Sequence, residues 1–219
     1  AKSYKFKHND LEDLQAKVEK LTISGEIYVV TESIFSMDGD HPDLPALVKF
    51  CNEKNIFLVV DEAHALGVFG ETGEGLLQHL NLHHKVFARI VTFGKGLGAH
   101  GAAILGSETL KEFIINFTRS FIYTTAIAPH SVATISSAYQ ELVHTSAIKK
   151  LQQNITYFQQ QVEDLDLKDA FIASDSAIQS CIIPGNEQVK AIAEKLQQQH
   201  YLVKPILSPT VAKGEERLR

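Results

Sequence analysis

Three short apolar runs at nearly equal spacing constrain this chain more than anything else in it. They are residues 27–31, 56–60 and 87–93, starting about 30 residues apart. That interval is what a parallel crossover needs, a strand, a helix packed back on the sheet, and a second strand. The runs are nearly continuous in apolar residues rather than alternating, the pattern of strands covered on both faces. Between the first two, Leu44, Leu47, Val48 and Cys51 recur at i, i+3, i+4 and i+7, the stripe of an amphipathic helix. An earlier helix carries Leu11, Leu14, Val18 and Leu21 on one face, and Asn9 is predicted to cap it. A fourth apolar run at 102–105 joins the sheet. Residues 1–148 are therefore expected to form an α/β domain, a mostly parallel sheet with helices on both faces.

The rhythm changes near residue 149. Residues 131–163 read as helix with only small or polar breaks. Strands are predicted near 177–183 and 201–204, on either side of a helix over 187–200. This predicts a smaller α+β domain over residues 149–219. The chain begins at Ala1 without Met and stops at Arg219, which reads as truncation at both ends.

Composition excludes several classes. A formal charge of −5 argues against a nucleic-acid binder built on a broad basic surface. The longest apolar runs fall far short of the roughly 20 residues of a membrane span. Cys51 and Cys181 make no disulfide framework, which points to a reducing, cytoplasmic setting.

In an open parallel sheet, ligands bind beyond the carboxyl ends of the strands. The first strand leads into Glu32-Ser33-Ile34-Phe35-Ser36, the second into Asp61-Glu62-Ala63-His64, and the third into Thr92-Phe93-Gly94-Lys95-Gly96-Leu97-Gly98. An acid, an acid with a histidine, and a lysine between glycines thus converge at three successive strand ends. Two rival motifs fail. Asp61-Glu62-Ala63-His64 spells a helicase-type ATPase box, but Arg89 and Gly96 occupy positions where a phosphate loop needs Gly and Ser or Thr. Residues 96–101 match G-x-G-x-x-G, yet they run into a strand rather than opening a helix. His79, His83 and His84 have no nearby cysteine or carboxylate to complete a metal set.

A lysine between glycines can form a Schiff base with an aldehyde, and an aspartate can pair with a protonated pyridine nitrogen. A histidine can bond a phenolic oxygen, and a threonine a phosphate. Together these describe a site for pyridoxal phosphate (PLP).

Segments 32–40, 61–64 and 92–98 resemble the signature of the α-oxoamine synthases, fold-type I PLP enzymes, and the similarity runs from about Lys2 to Arg219. The resemblance implies a PLP-dependent acyltransferase that condenses an amino acid with an acyl thioester and releases carbon dioxide. The wording around Lys95 is nearest to the member that uses L-alanine and a pimeloyl thioester, carried by CoA or by a carrier protein. A sibling using glycine or serine with another acyl-CoA, and a non-catalytic fragment of the fold, are the alternatives. By position, Lys95 resembles the Schiff-base lysine, Asp61 the pyridine-nitrogen partner and His64 the ligand of the phenolic oxygen. Ser36 and Thr92 match cofactor contacts, and Glu32 an acid near the substrate. Thr124 and Thr125 resemble a pair reaching the phosphate in the neighbouring subunit, which implies a homodimer with shared sites. Thr210 matches a substrate contact, and Arg219 the arginine that grips the amino acid's carboxylate, a task suited to its bidentate fork. Relatives also carry a region ahead of Lys2 and a strand and helix after Arg219.

Overall fold

The computed structural model describes residues 2–22 and 25–219. The chain forms two compact units. One comprises residues 1–34 and 41–148, the other residues 35–40 and 149–219.

The first unit opens with α1 (Leu11–Glu19). Asp10, not the expected Asn9, caps it: the Asp10 carboxylate accepts the Asp13 N–H at 2.8 Å, while Asn9 takes the left-handed conformation at φ +52°. A carboxylate suits this place because it also meets the positive end of the helix dipole. The chain continues through β1 (Tyr28–Glu32), α2 (Leu44–Glu53) and β2 (Phe57–Asp61). The short α3 (Leu76–His79) then precedes β3 (Ala88–Thr92) and β4 (Ala102–Gly106). In α2, Asp43 caps the Ala46 N–H, and Leu44, Leu47, Val48, Phe50 and Cys51 are buried, as the stripe predicts.

Strand order is β1-β2-β3-β4. The first three strands are parallel, in register at Glu32–Asp61 and Asp61–Ile90, and β4 is antiparallel to β3. The loop between β3 and β4 is too short for a crossover, so the chain can only return antiparallel. One sheet face buries Val29, Thr31, Leu58, Val60 and Val91. The opposite face carries Tyr28, Val30 and Ile104, which are exposed, and at its carboxyl end Glu32, Asp61 and Thr92.

After β4 come α4 (Glu108–Phe117), α5 (Arg119–Ile122) and α6 (Pro129–His144). Then α7 (Ala147–Asp164) leads into the second unit. The helical stretch expected over 131–163 is found as two helices, with its break at residues 145–146. Thr145 is extended at ψ 144°, and its hydroxyl accepts the Ala147 N–H at 3.2 Å. The side chain thus offers the backbone an alternative to continuing the helix. Leu142 and Ile148, flanking the break, join Leu66, Val91, Phe93 and Leu97 in one buried cluster.

The second unit contains β5 (Cys181–Ile182), α8 (Asn186–Gln198), β6 (Pro205–Ile206) and β7 (Arg217–Leu218), with antiparallel strand order β5-β7-β6. Val189, Ala193 and Leu218 form its core. The strand expected at 201–204 instead lies at 205–206. His200 turns the chain out of α8 at φ +67°, and the two residues after it, Tyr201 and Leu202, are exposed. No helix among the described residues is long and apolar enough to cross a membrane.

One buried ion pair braces the first unit. Glu62 is fully buried, and its carboxylate accepts the Arg89 Nε–H at 2.6 Å and the Leu77 N–H at 2.8 Å. Arg89 also donates to the Glu74 carbonyl at 3.0 Å. Removing one partner of such a pair leaves an uncompensated buried charge, so Glu62→Ala should cost about 3–5 kcal/mol, read as a lower denaturation midpoint in urea.

Candidate active site

Parallel register does the first part of the assembly. Because Glu32 pairs with Asp61 and Asp61 with Ile90, the side chains of Glu32, Asp61 and Thr92 share one sheet face at the carboxyl ends of neighbouring strands. Asp61 is half-buried, and its Oδ1 accepts the Ala63 N–H at 2.8 Å. That bond fixes the carboxylate and leaves Oδ2 without a partner among the described residues. His64 is half-buried in the turn that follows β2.

The lysine loop is brought to this turn by close packing of backbone on backbone. A Cβ on Gly96 would stand 2.3 Å from the Leu66 carbonyl oxygen, so no residue with a side chain fits there without movement. Gly67 lies on the other side of the same approach, 3.1 Å from Gly96 by the same measure. The loop closes on itself through Ala99 N–H to Phe93 O at 2.7 Å and Gly98 N–H to Lys95 O at 3.0 Å. Leu97 anchors it in the buried cluster, and Lys95 between them is exposed, its ammonium in no ion pair with a described residue. Asp61 and Thr92 end β2 and β3, and His64 and Lys95 lie in the two loops that follow, which touch at Leu66, Gly67 and Gly96.

Thr92 holds the most telling atom. Its Oγ1 is buried and has no hydrogen-bond partner among the described residues. A buried hydroxyl left unbonded costs roughly 1–3 kcal/mol, so a native chain rarely keeps one without use. An anionic oxygen would satisfy it. An orphaned hydroxyl, a fixed carboxylate with an oxygen to spare, and an unpaired lysine are a donor set that fits PLP.

Thr124 and Thr125 are exposed just after α5, and the Thr124 hydroxyl donates to the Ser120 carbonyl at 2.6 Å. Within the second unit, Ser36 is half-buried in the 35–40 segment and Thr210 is exposed. The exposed Arg219 donates from Nη1 to the Ser36 carbonyl at 2.9 Å. The sequence reading missed Asp38 and Arg217, whose ion pair joins the 35–40 segment to β7. Neither carries a spacing signal, because their partnership spans almost the whole chain.

Known proteins of similar sequence and fold exist. The chain is 40% identical over 222 residues to the 8-amino-7-oxononanoate synthase of Cellvibrio japonicus, covering all of this chain and 55% of that protein. Two solved structures superpose on nearly its whole length. Serine palmitoyltransferase from S. paucimobilis, holding a PLP–myriocin aldimine, matches at a TM-score of 0.88 and 25% identity, over 98% of this chain and 54% of that one. The 8-amino-7-oxononanoate synthase of Francisella tularensis matches at 0.79 and 28%, over 97% and 60%. The chain spans little more than half the length of the curated relatives it matches. The expected PLP-dependent transferase fold is the fold found. The sequence matches the profile of aminotransferase class I and II across residues 1–219, and the chain belongs to that family.

Proposed function

We propose that the protein containing this chain is a PLP-dependent acyltransferase that condenses L-alanine with a pimeloyl thioester. It gives 8-amino-7-oxononanoate, carbon dioxide and the free thiol carrier, a step of biotin synthesis. The observation that carries the PLP reading is the packed pair of loops, which gathers Asp61, His64, Lys95 and the unbonded Thr92 hydroxyl in one unit. The choice of alanine and pimeloyl rests on the likeness to the 8-amino-7-oxononanoate synthases, at 40% identity for the first of them.

PLP, when bound, would supply an electron sink for negative charge at the amino acid's α-carbon. Thr92 would donate its hydroxyl to the phosphate, and His64 would orient the ring through its phenolic oxygen. Asp61 places a negative charge where it keeps the pyridine nitrogen protonated. Lys95 anchors the cofactor and, once its amine is free, takes the α-proton on Nζ. Glu32, beside Asp61, is the acid facing the substrate. In the second unit, Arg219 holds the amino acid's carboxylate and Thr210 makes a further contact.

A homodimer is part of the proposal. Phe113, Phe117, Phe121 and Tyr123 on and after α4 and α5 are all more than half exposed, a concentration of aromatic surface that favours a protein partner. Thr124 and Thr125 follow this patch directly, which suits a pair that serves the partner's cofactor.

Mass spectrometry of products from the full-length protein, offered alanine, glycine or serine with several acyl-CoAs, tests the substrates. 8-Amino-7-oxononanoate from alanine and pimeloyl-CoA is the expected product, and condensation of serine or glycine alone would replace this reading with a sibling's. Borohydride should fix PLP to the peptide containing Lys95, and Lys95→Ala should abolish turnover with the fold intact. Asp61→Asn should lower kcat about a hundredfold while most PLP binding survives. Thr92→Val removes the unbonded hydroxyl without changing shape. It should keep or raise the melting temperature of the PLP-free protein and weaken PLP binding about tenfold, followed by titration of visible absorbance.

A further inference from the structure

The 35–40 segment follows β1 in sequence but belongs to the second unit. Three side chains of that unit hold it. Arg217, which is 4% exposed, forms an ion pair with Asp38 and also donates from Nε to the Glu215 carbonyl at 2.9 Å. The Ser180 hydroxyl donates to the Met37 carbonyl at 2.8 Å, and the Ser174 hydroxyl to the Gly39 carbonyl at 2.8 Å. At Gly39 the chain takes φ +78°, and a Cβ there would lie 2.3 Å from the Ile178 carbonyl oxygen. The segment is thus seated too tightly for any side chain at its turn. It also closes on itself, with Gly39 N–H to Phe35 O at 2.8 Å and Phe35 N–H to Asp40 O at 2.9 Å.

Its other end meets Arg219. The Arg219 backbone exchanges both hydrogen bonds with Lys204 at 2.9 Å, which fixes where the side chain starts. The Ser36 carbonyl accepts from Nη1, which fixes where it goes. One carbonyl occupies one of five guanidinium donors, so the fork keeps donors to spare for a carboxylate. A buried pair such as Arg217–Asp38 is weak evidence for stability, because desolvation offsets its attraction. Its geometry is more informative. A planar guanidinium bonded on two sides admits a single placement of Asp38, and with it of Ser36.

We propose that Arg217 and Asp38 are positioning residues for the amino-acid substrate, acting through the Ser36 carbonyl on the guanidinium of Arg219. Binding to Arg219 is then tightened because its orientation is set before the carboxylate arrives. This inference rests on the reading of Arg219 as the carboxylate grip.

The test uses the full-length, PLP-loaded protein with Asp38→Asn, Arg217→Lys, Arg219→Lys, and each of the first two combined with Arg219→Lys. Asp38→Asn and Arg217→Lys should each raise the KM for the amino acid on the order of tenfold, with the KM for acyl-CoA unchanged. In the Arg219→Lys background neither should add to the effect, because residues acting through one another are not additive. An unchanged amino-acid KM in both single variants, or effects that multiply in the doubles, would overturn the inference and leave the grip itself standing. Loss of PLP absorbance with the amino-acid KM intact would also overturn it, by reducing the pair to a structural role. If Arg219→Lys leaves the amino-acid KM unchanged, the grip reading fails and this inference falls with it.

Discussion

The neighbouring acids at the end of β2 are sorted by a single buried contact. Asp61 and Glu62 sit one after the other, and successive side chains leaving a strand diverge. Glu62 goes inward, where Arg89 from β3 and the Leu77 amide take both oxygens of its carboxylate. With Glu62 committed, Asp61 keeps the other sheet face, where Glu32 and Thr92 stand. The pair also ties the residues ahead of α3 to the sheet through the Glu74 carbonyl. The buried Glu62 thus sets the direction of its neighbour Asp61, and the two could not exchange places without burying an unpaired charge.

Backbone proximity then does what side chains alone could not. Gly96 against Leu66 brings the lysine loop onto the histidine turn with no atom between them, and Leu97 pins that loop into the apolar cluster with Leu142 and Ile148. Lys95 is presented by a rigid frame while its own chain stays exposed. The frame, not the side chain, therefore carries the positioning of this amine.

Much of this could be read in advance where chemistry is local. The spacing of apolar runs yields the parallel strands, and the polar residues just past each run yield Glu32, Asp61, His64, Thr92 and Lys95. The antiparallel course of β4 was not legible from its apolar run alone; it follows from the length of the loop before it. At α1 the expected cap, Asn9, gives way to Asp10, because the Asp10 carboxylate reaches the Asp13 N–H while Asn9 turns left-handed. The break at Thr145 depends on a side-chain hydroxyl competing with a helix that periodicity would continue. The pairing of Asp38 with Arg217 lay furthest out of reach: both stand in stretches that the family resemblance covers, but nothing local marks partners at opposite ends of the chain.

The second unit is discontinuous, and that has a bearing on inheritance. The chain passes between units at 34/35, 40/41 and 148/149. A crossover at the last junction, exchanging the carboxyl-terminal part between two homologous genes, would deliver Ser174, Ser180 and Arg217 to a foreign 35–40 segment. Recombination can therefore trade this unit cleanly only if both pieces travel together or already match. The two pieces should co-evolve as one block despite their distance in the gene, and chimeras designed by linear position would divide that block.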